Sequence, residues 1–332
     1  MADNSNVRVA VIGGGPAGLS AALAAVETSA NVLLIDDASK LGGHLVWSTS
    51  LVQNIEEYAG MRSLEVAEKL SEWVIASKSI KVLTRATAFG MYSEGLMGVE
   101  DPDGLVEVEA SRYVFTPGRT DRIPVFVNND LPGIISSTAA RILINRFKIK
   151  PGNCAIIYSN NDDGLRLASE LHDVETKVNA VIEERESPSA ETVEELTQQG
   201  IPVYPNSQVI QANGRKCLNS IEFVTLSGLR RKIDCDVLCF SIGSQPLCEL
   251  PQQVGCQVEY DQSSKTITIA HDEYLRSTPE SYVAGEVIGA ITTPQILLHG
   301  RLAGLSAALS LGFGASSEYR EQRNLVIRNR QK

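Results

Sequence analysis

Residues 7–22 constrain this chain more than any other stretch. An apolar run, Val9-Ala10-Val11-Ile12, leads into Gly13-Gly14-Gly15-Pro16-Ala17-Gly18 and then into a small-residue segment, Leu19-Ser20-Ala21-Ala22. That order predicts a buried strand, a glycine turn and a helix. Each glycine has its own work: Gly13 for the tight turn, Gly15 for close approach of a pyrophosphate to the backbone, Gly18 for helix–strand packing. The helix N-terminus offers free N–H groups and a positive dipole end to phosphates. A second apolar strand, Val32-Leu33-Leu34-Ile35, ends in Asp36, about 20 residues beyond the turn, where a carboxylate takes up ribose hydroxyls. The pattern predicts a dinucleotide site.

The chain of 332 residues is long enough for two domains with cores of their own. Its formal charge of −10 argues against nucleic acid or an anionic membrane surface as partner. Residues 1–6 are polar, without the pattern of a secretory leader, and 297–315 is interrupted by His299, Arg301 and glycines. A cytoplasmic protein without a membrane span is expected.

Beyond the first turn, Leu41-Gly42-Gly43-His44 forms a second glycine loop. A helix is expected over 63–77, with Leu64, Ala67, Leu70 and Val74 on its apolar face. A strand at 80–84 and a meander lead to Tyr113-Val114-Phe115-Thr116-Pro117-Gly118, where the chain can cross between domains. The strand–helix–strand pattern then recurs at 154–158, 165–171 and 178–182, an internal duplication. The expected fold class is α/β: two Rossmann-like domains, the first discontinuous, built from 1–122 and 244–332 around 123–243.

Three anchors together resemble the two-dinucleotide-binding-domain flavoproteins, the glutathione-reductase-like class that includes thioredoxin reductase. They are the Gly13–Gly18 turn, Thr116-Pro117-Gly118 and Tyr282-Val283-Ala284-Gly285-Glu286. Within that class, the stretch 82–92, Asn128-Asn129-Asp130-Leu131-Pro132-Gly133 and Tyr158-Ser159-Asn160-Asn161-Asp162-Asp163-Gly164 resemble the nucleotide-binding part of the heterotetrameric sarcosine oxidase α subunit. That subunit is much longer, and its folate-binding domain has no counterpart here.

The resemblance implies an oxidoreductase subunit acting on CH–NH donors, a secondary amine or amino acid, beside a separate β-type flavoprotein subunit. One dinucleotide, FAD or NAD, would occupy the N-terminal site; related subunits differ in whether FAD, NAD or ATP fills it. The cofactor-binding residues implied are Gly13, Gly15, Pro16, Ala17, Gly18, Asp36, Asp37, Gly43, His44, Ala88, Gly285 and Glu286. The helix starting near Pro294 would face a flavin ring. Arg85 is open between the adenosine end and a solvated strand end, and the basic stretch 320–332 between a partner contact and a solvated terminus.

The six cysteines form no C-x-x-C pair and none precedes Cys154, so the redox pair of the disulfide reductases is missing. No catalytic side-chain set and no metal-ligand spacing stands out. The second turn carries Ser159 and Asn161 where glycines would be needed, with Asp162 and Asp163 adding negative charge, and is expected to be free of nucleotide. Glu183 is read there as a solvated strand end rather than a ribose ligand. Two other readings stay open: a non-catalytic dinucleotide-binding scaffold, and a self-contained NAD(P)H-dependent flavin reductase.

Overall fold

The computed structural model describes residues 7–53, 55–262, 265–289, 292–313 and 324; the basic stretch 320–332 thus lies, but for residue 324, outside the described residues. The chain divides into two compact units, unit 1 comprising 1–120 and 246–332 and unit 2 comprising 121–245.

Unit 1 is built on a parallel five-stranded sheet in the order Ser281–Val283, Arg112–Phe115, Val9–Ile12, Val32–Asp36, Ile80–Thr84. Strand alternation sorts its side chains onto two faces. Val9, Val11, Leu34 and Val114 join the helices in one core cluster, while Ala10, Ile12, Leu33, Ile35 and Phe115 join the other. The second face is covered by a three-stranded antiparallel sheet, Thr87–Met91, Met97–Asp101 and Gly104–Val108. Both faces are thus dry, which is why the first strand has no polar residue.

The helix Ser63–Ala76 buries Ser63, Val66, Ala67, Leu70 and Val74. Val66 replaces the expected Leu64, which is only half-buried, because the inward face is centred on 63, 67, 70 and 74.

The turn helix (Pro16–Glu27) packs on the late helix (Thr293–Leu309) almost backbone to backbone. A Cβ added at Gly300 would lie 2.1 Å from the Ala17 carbonyl oxygen, and one at Gly304 would lie 2.1 Å from that of Ala21. Mid-helix glycine costs about 1 kcal/mol relative to alanine, so two of them persist only where close packing offsets the loss.

Unit 2 repeats this plan. Its parallel sheet runs Val203–Tyr204, Lys177–Glu183, Cys154–Ser159, Val237–Ser241, Ile134–Ser136. Helix Asp162–Asp173 follows the strand Cys154–Ser159, as the turn helix follows Val9–Ile12. A three-stranded antiparallel sheet spans 208–234, between the strands Val203–Tyr204 and Val237–Ser241. The two units share one strand order, the outer strand coming from late in the chain in unit 1 and from just before the first turn in unit 2.

Replacing Gly300 with Val is expected to destabilise unit 1 by about 3 kcal/mol or more, since the obstacle is backbone that cannot swing aside. A thermal melt of the variant checks this; an unshifted transition would mean that the two helices separate at no cost.

Candidate functional site

The strand Val9–Ile12 delivers the chain to Gly13, whose φ of +107° suits glycine alone. Its N–H donates to the Ile35 carbonyl at 2.8 Å, and an added Cβ would sit 2.2 Å from the Thr116 oxygen. Thr116 Oγ1 donates to the Gly13 carbonyl at 2.9 Å. At Gly18 a Cβ would come within 1.7 Å of the Gly13 oxygen, so the helix's first turn lies directly on the strand end. Gly15 is different. Its φ is −72°, which any residue adopts, and an added Cβ would meet nothing nearer than the Gly43 Cα at 3.9 Å.

No side chain caps the turn helix and no acid lies in its first turn. The first-turn N–H groups have no partner within the helix, and Pro16 at its start has none to satisfy. The positive end of the dipole therefore faces the open side of the turn.

Asp36 closes one flank. Its Oδ2 accepts the Gly14 N–H and its Oδ1 the Ala38 N–H at 2.9 Å. Burial pushes its carboxyl above the usual range, and the two N–H bonds pull back against that. Lone pairs remain on both oxygens for further donors.

The Gly42 N–H donates to the Gly14 carbonyl at 2.8 Å, and an added Cβ at Gly43 would stand 2.8 Å from the Gly15 Cα, so the second glycine loop rests on the first. His44 follows in the turn Gly43–Trp47, its ring centroid 5.9 Å from that of Trp47. Gly285 has φ of +84° and lies against Ala17, which brings Glu286 to the same place. Glu286 Oε2 is 3.7 Å from His44 Nδ1, and Oε1 is 2.8 Å from Arg119 Nε. Burial lowers the His44 pKa below its ordinary 6.5; the Glu286 charge opposes that and Arg119 adds to it.

The structure thus brings together residues 13–18, Asp36, Gly43, His44, Gly285 and Glu286. Asp37 is exposed beside Asp36, and Ala88 pairs with Val99 in the antiparallel sheet, half-buried. Arg85 is exposed and left-handed, its N–H on the Ala38 carbonyl: the solvated alternative. The late helix is capped by Thr292 and Gln295, each side chain bonding the other's N–H.

Sequence reasoning did not single out Arg119. It directly follows the crossing motif, but its partner is far along the chain and no local spacing announces the pair. Among the described residues no group of His, Cys, Asp and Glu could hold a metal ion. All six cysteines are free thiols, and burial pushes Cys235 and Cys239 up to about 12, away from the reactive thiolate.

In unit 2 the expectation for Glu183 is corrected. It is fully buried, and its carboxylate is held by Arg185 at 2.9 and 3.1 Å. Asp162 and Asp163 are not bare charges either: Arg185 lies 2.8 Å from the first and Arg141 2.6 Å from the second. A strand-end carboxylate this deep needs a counterion, and no local pattern announces that Arg185, two residues later, supplies it.

Against known proteins, the profile of the family described as "Pyridine nucleotide-disulphide oxidoreductase" matches residues 7–309. The sarcosine oxidase subunit alpha of Rhizobium meliloti is 30% identical over 260 residues, covering 72% of this chain and 24% of that one. This chain therefore spans about a quarter of that relative's length. Among solved structures, L-proline dehydrogenase from P. horikoshii superposes with a TM-score of 0.72 at 24% identity, over 95% of this chain and 58% of that one. T. acidophilum thioredoxin reductase gives 0.71 at 22%, over 91% and 96%. At such identities the two structures speak for the fold, α/β with parallel sheets, as in FAD/NAD(P)-binding oxidoreductases.

His44 gives this site a pH signature. Because burial lowers its pKa, the unfolded chain binds the proton first as pH drops below about 6.5, and the folded state loses stability through the window beneath that value. Replacing His44 with Gln is expected to flatten the pH dependence of the melting temperature between about pH 7 and 5. An unchanged slope would assign that dependence to other groups.

Proposed function

This chain belongs to the pyridine nucleotide-disulphide oxidoreductase family, and on that premise we propose that unit 1 holds one dinucleotide, FAD or NAD, at the Gly13–Gly18 turn. The observation that carries this is the inequality among the glycines. The protein's own packing demands glycine at 13 and 18 but not at 15, where the backbone opens onto an uncapped helix end. A pyrophosphate fits that combination, since it needs both a backbone without a side chain and unpaired N–H donors.

The roles follow by position. Gly13, Gly15, Ala17 and Gly18 would hold the pyrophosphate through their backbone, with Pro16 shaping the turn, and Asp36 would accept the adenosine ribose hydroxyls beside Asp37. Gly43 and His44 would lie along the far side, Gly285 and Glu286 would hold the ribityl chain or second ribose, and Ala88 would border the adenosine end. When bound, the cofactor supplies hydride and electron transfer. The protein's share is placement. Arg119 offsets the Glu286 carboxylate, so that the site does not repel an anionic ligand. The neutral His44 ring offers one donor and one acceptor.

For the wider role, we propose an oxidoreductase subunit that works beside a separate β-type flavoprotein subunit in the cytoplasm to oxidise a secondary amine or amino acid. The similarity to a sarcosine oxidase subunit alpha supports this. A second reading, a scaffold whose nucleotide is structural, is favoured by the absence of a redox cysteine pair and by thiols held in the protonated state.

The experiment is native purification followed by mass spectrometry of the denatured extract, on the wild type and on Gly15→Ala. The wild type is expected to release FAD or NAD. Stripped of nucleotide, the variant should melt like the stripped wild type, because its Cβ clashes with nothing, yet it should bind at least about tenfold more weakly. Equal loading of both proteins would overturn the assignment of the turn. A second flavoprotein subunit that co-purifies and gives substrate-dependent reduction with an N-methyl amino acid supports the complex; a loaded protein inert with every such partner favours the scaffold.

A further inference from the structure

A family named for pyridine nucleotides raises the question of what the second glycine-type turn takes up. We propose that it takes up nothing from outside: the turn in unit 2 is ligated by the chain's own side chains, and a dihydronicotinamide dinucleotide does not bind there. This goes beyond the assignment of unit 1 and does not depend on which nucleotide unit 1 holds.

Ser159, Asn161 and Gly164 stand where Gly13, Gly15 and Gly18 stand in unit 1. Asn161, the counterpart of the open Gly15, is fully committed. Its Oδ1 accepts the Gly164 N–H at 3.0 Å and the Ser241 hydroxyl at 2.9 Å, and its Nδ2 donates to the Ser241 carbonyl at 2.9 Å and to Asn160 Oδ1 at 3.1 Å. The N–H that a phosphate would need at the first helical turn is therefore spent on a side-chain cap. Ser159, fully buried, donates its hydroxyl to the Asn161 carbonyl at 2.8 Å and accepts the Asn161 N–H at 3.2 Å. The turn is closed on itself.

The ribose position is closed in the same manner. Glu183 ends the second strand, where unit 1 has Asp36, but both of its oxygens receive Arg185, whose Nη1 reaches on to Asp162 at 2.8 Å. Arg141 pins the other side, with Nη1 on Asp163 at 2.6 Å, Nε on Glu170 at 2.8 Å and Nη2 on the Asp163 carbonyl at 2.9 Å. Exposed Arg166 comes no closer to Asp163 than 3.8 Å. In this network four carboxylates face three guanidinium groups, so no positive charge is left over for a diphosphate. A ligand entering would have to displace the half-exposed Arg185 from its bidentate hold and leave the buried Glu183 without its counterion. The self-contained NAD(P)H-dependent reductase is the reading this disfavours.

The test uses the protein with its native nucleotide bound, titrated calorimetrically with NADH and with NADPH, beside Gly15→Ala treated in the same way. No saturable heat up to about 1 mM is expected. Saturable binding that weakens in Gly15→Ala by the same factor as the unit 1 nucleotide also upholds the proposal, because it places the ligand in unit 1 and bears on the identity of the unit 1 nucleotide instead. Saturable binding whose affinity is the same in Gly15→Ala as in the wild type overturns it. The network has its own readout: Arg185→Met should lower the melting temperature, and Arg185→Met with Glu183→Gln should recover most of the loss. Should Arg185→Met melt like the wild type, the internal-counterion account fails.

Discussion

The contact on which unit 1 depends is the one between the turn helix and the late helix. Gly300 and Gly304 set their bare Cα atoms against the carbonyl oxygens of Ala17 and Ala21, and no side chain longer than hydrogen fits between them. The turn helix and the Gly285–Glu286 corner of the site are placed through it. It holds the start of the turn helix over the strand Val9–Ile12, and it brings Gly285 against Ala17, so that Glu286 reaches His44 and Arg119. Dispersion between small groups at such range is individually weak, but many atoms share it. The geometry follows from the side chains missing at Gly300 and Gly304 rather than from any strong pair.

The two units make one design serve two ends. Both have a parallel sheet of the same strand order with an antiparallel sheet interposed. In unit 1 the helix after the first strand is uncapped and its acid-free first turn faces outward. In unit 2 the equivalent helix carries Asp162 and Asp163 in its first turn and an asparagine cap. A helix end that satisfies its own N–H groups is stable without a ligand. One that leaves them unpaired is completed by an anion. The difference between a binding turn and a purely structural one thus comes down to a few side chains at its start.

Much of this was legible in the sequence. The alternation of Val9, Ala10, Val11 and Ile12 admits a strand buried on both faces, and the spacing of Gly13, Gly15 and Gly18 admits a tight strand–helix joint; both are local patterns with local physical causes. What sequence reasoning missed was non-local. Arg119 gains its meaning from Glu286, Arg141 from Asp163 and Glu170, and Arg185 from the burial of Glu183. A charge on a loop reads as solvated until the fold supplies its partner. Leu64 shows the converse on a small scale: periodicity located the helix, but the neighbours it meets turned its buried face by a few tens of degrees, toward Val66.

The discontinuity of unit 1 has a consequence for how the protein comes into being. Unit 2 is a single unbroken segment, with every strand of its sheet supplied by neighbours in the chain. The sheet of unit 1 waits for Ser281–Val283, and its turn helix waits for Thr293–Leu309. During synthesis, which proceeds from the N-terminus, unit 2 can close while the glycine turn still lacks the helix that seats it. The glycine turn leaves the ribosome before unit 2 yet is fixed after it, and until then its small, apolar residues are the exposed surface that the growing chain must keep from associating elsewhere.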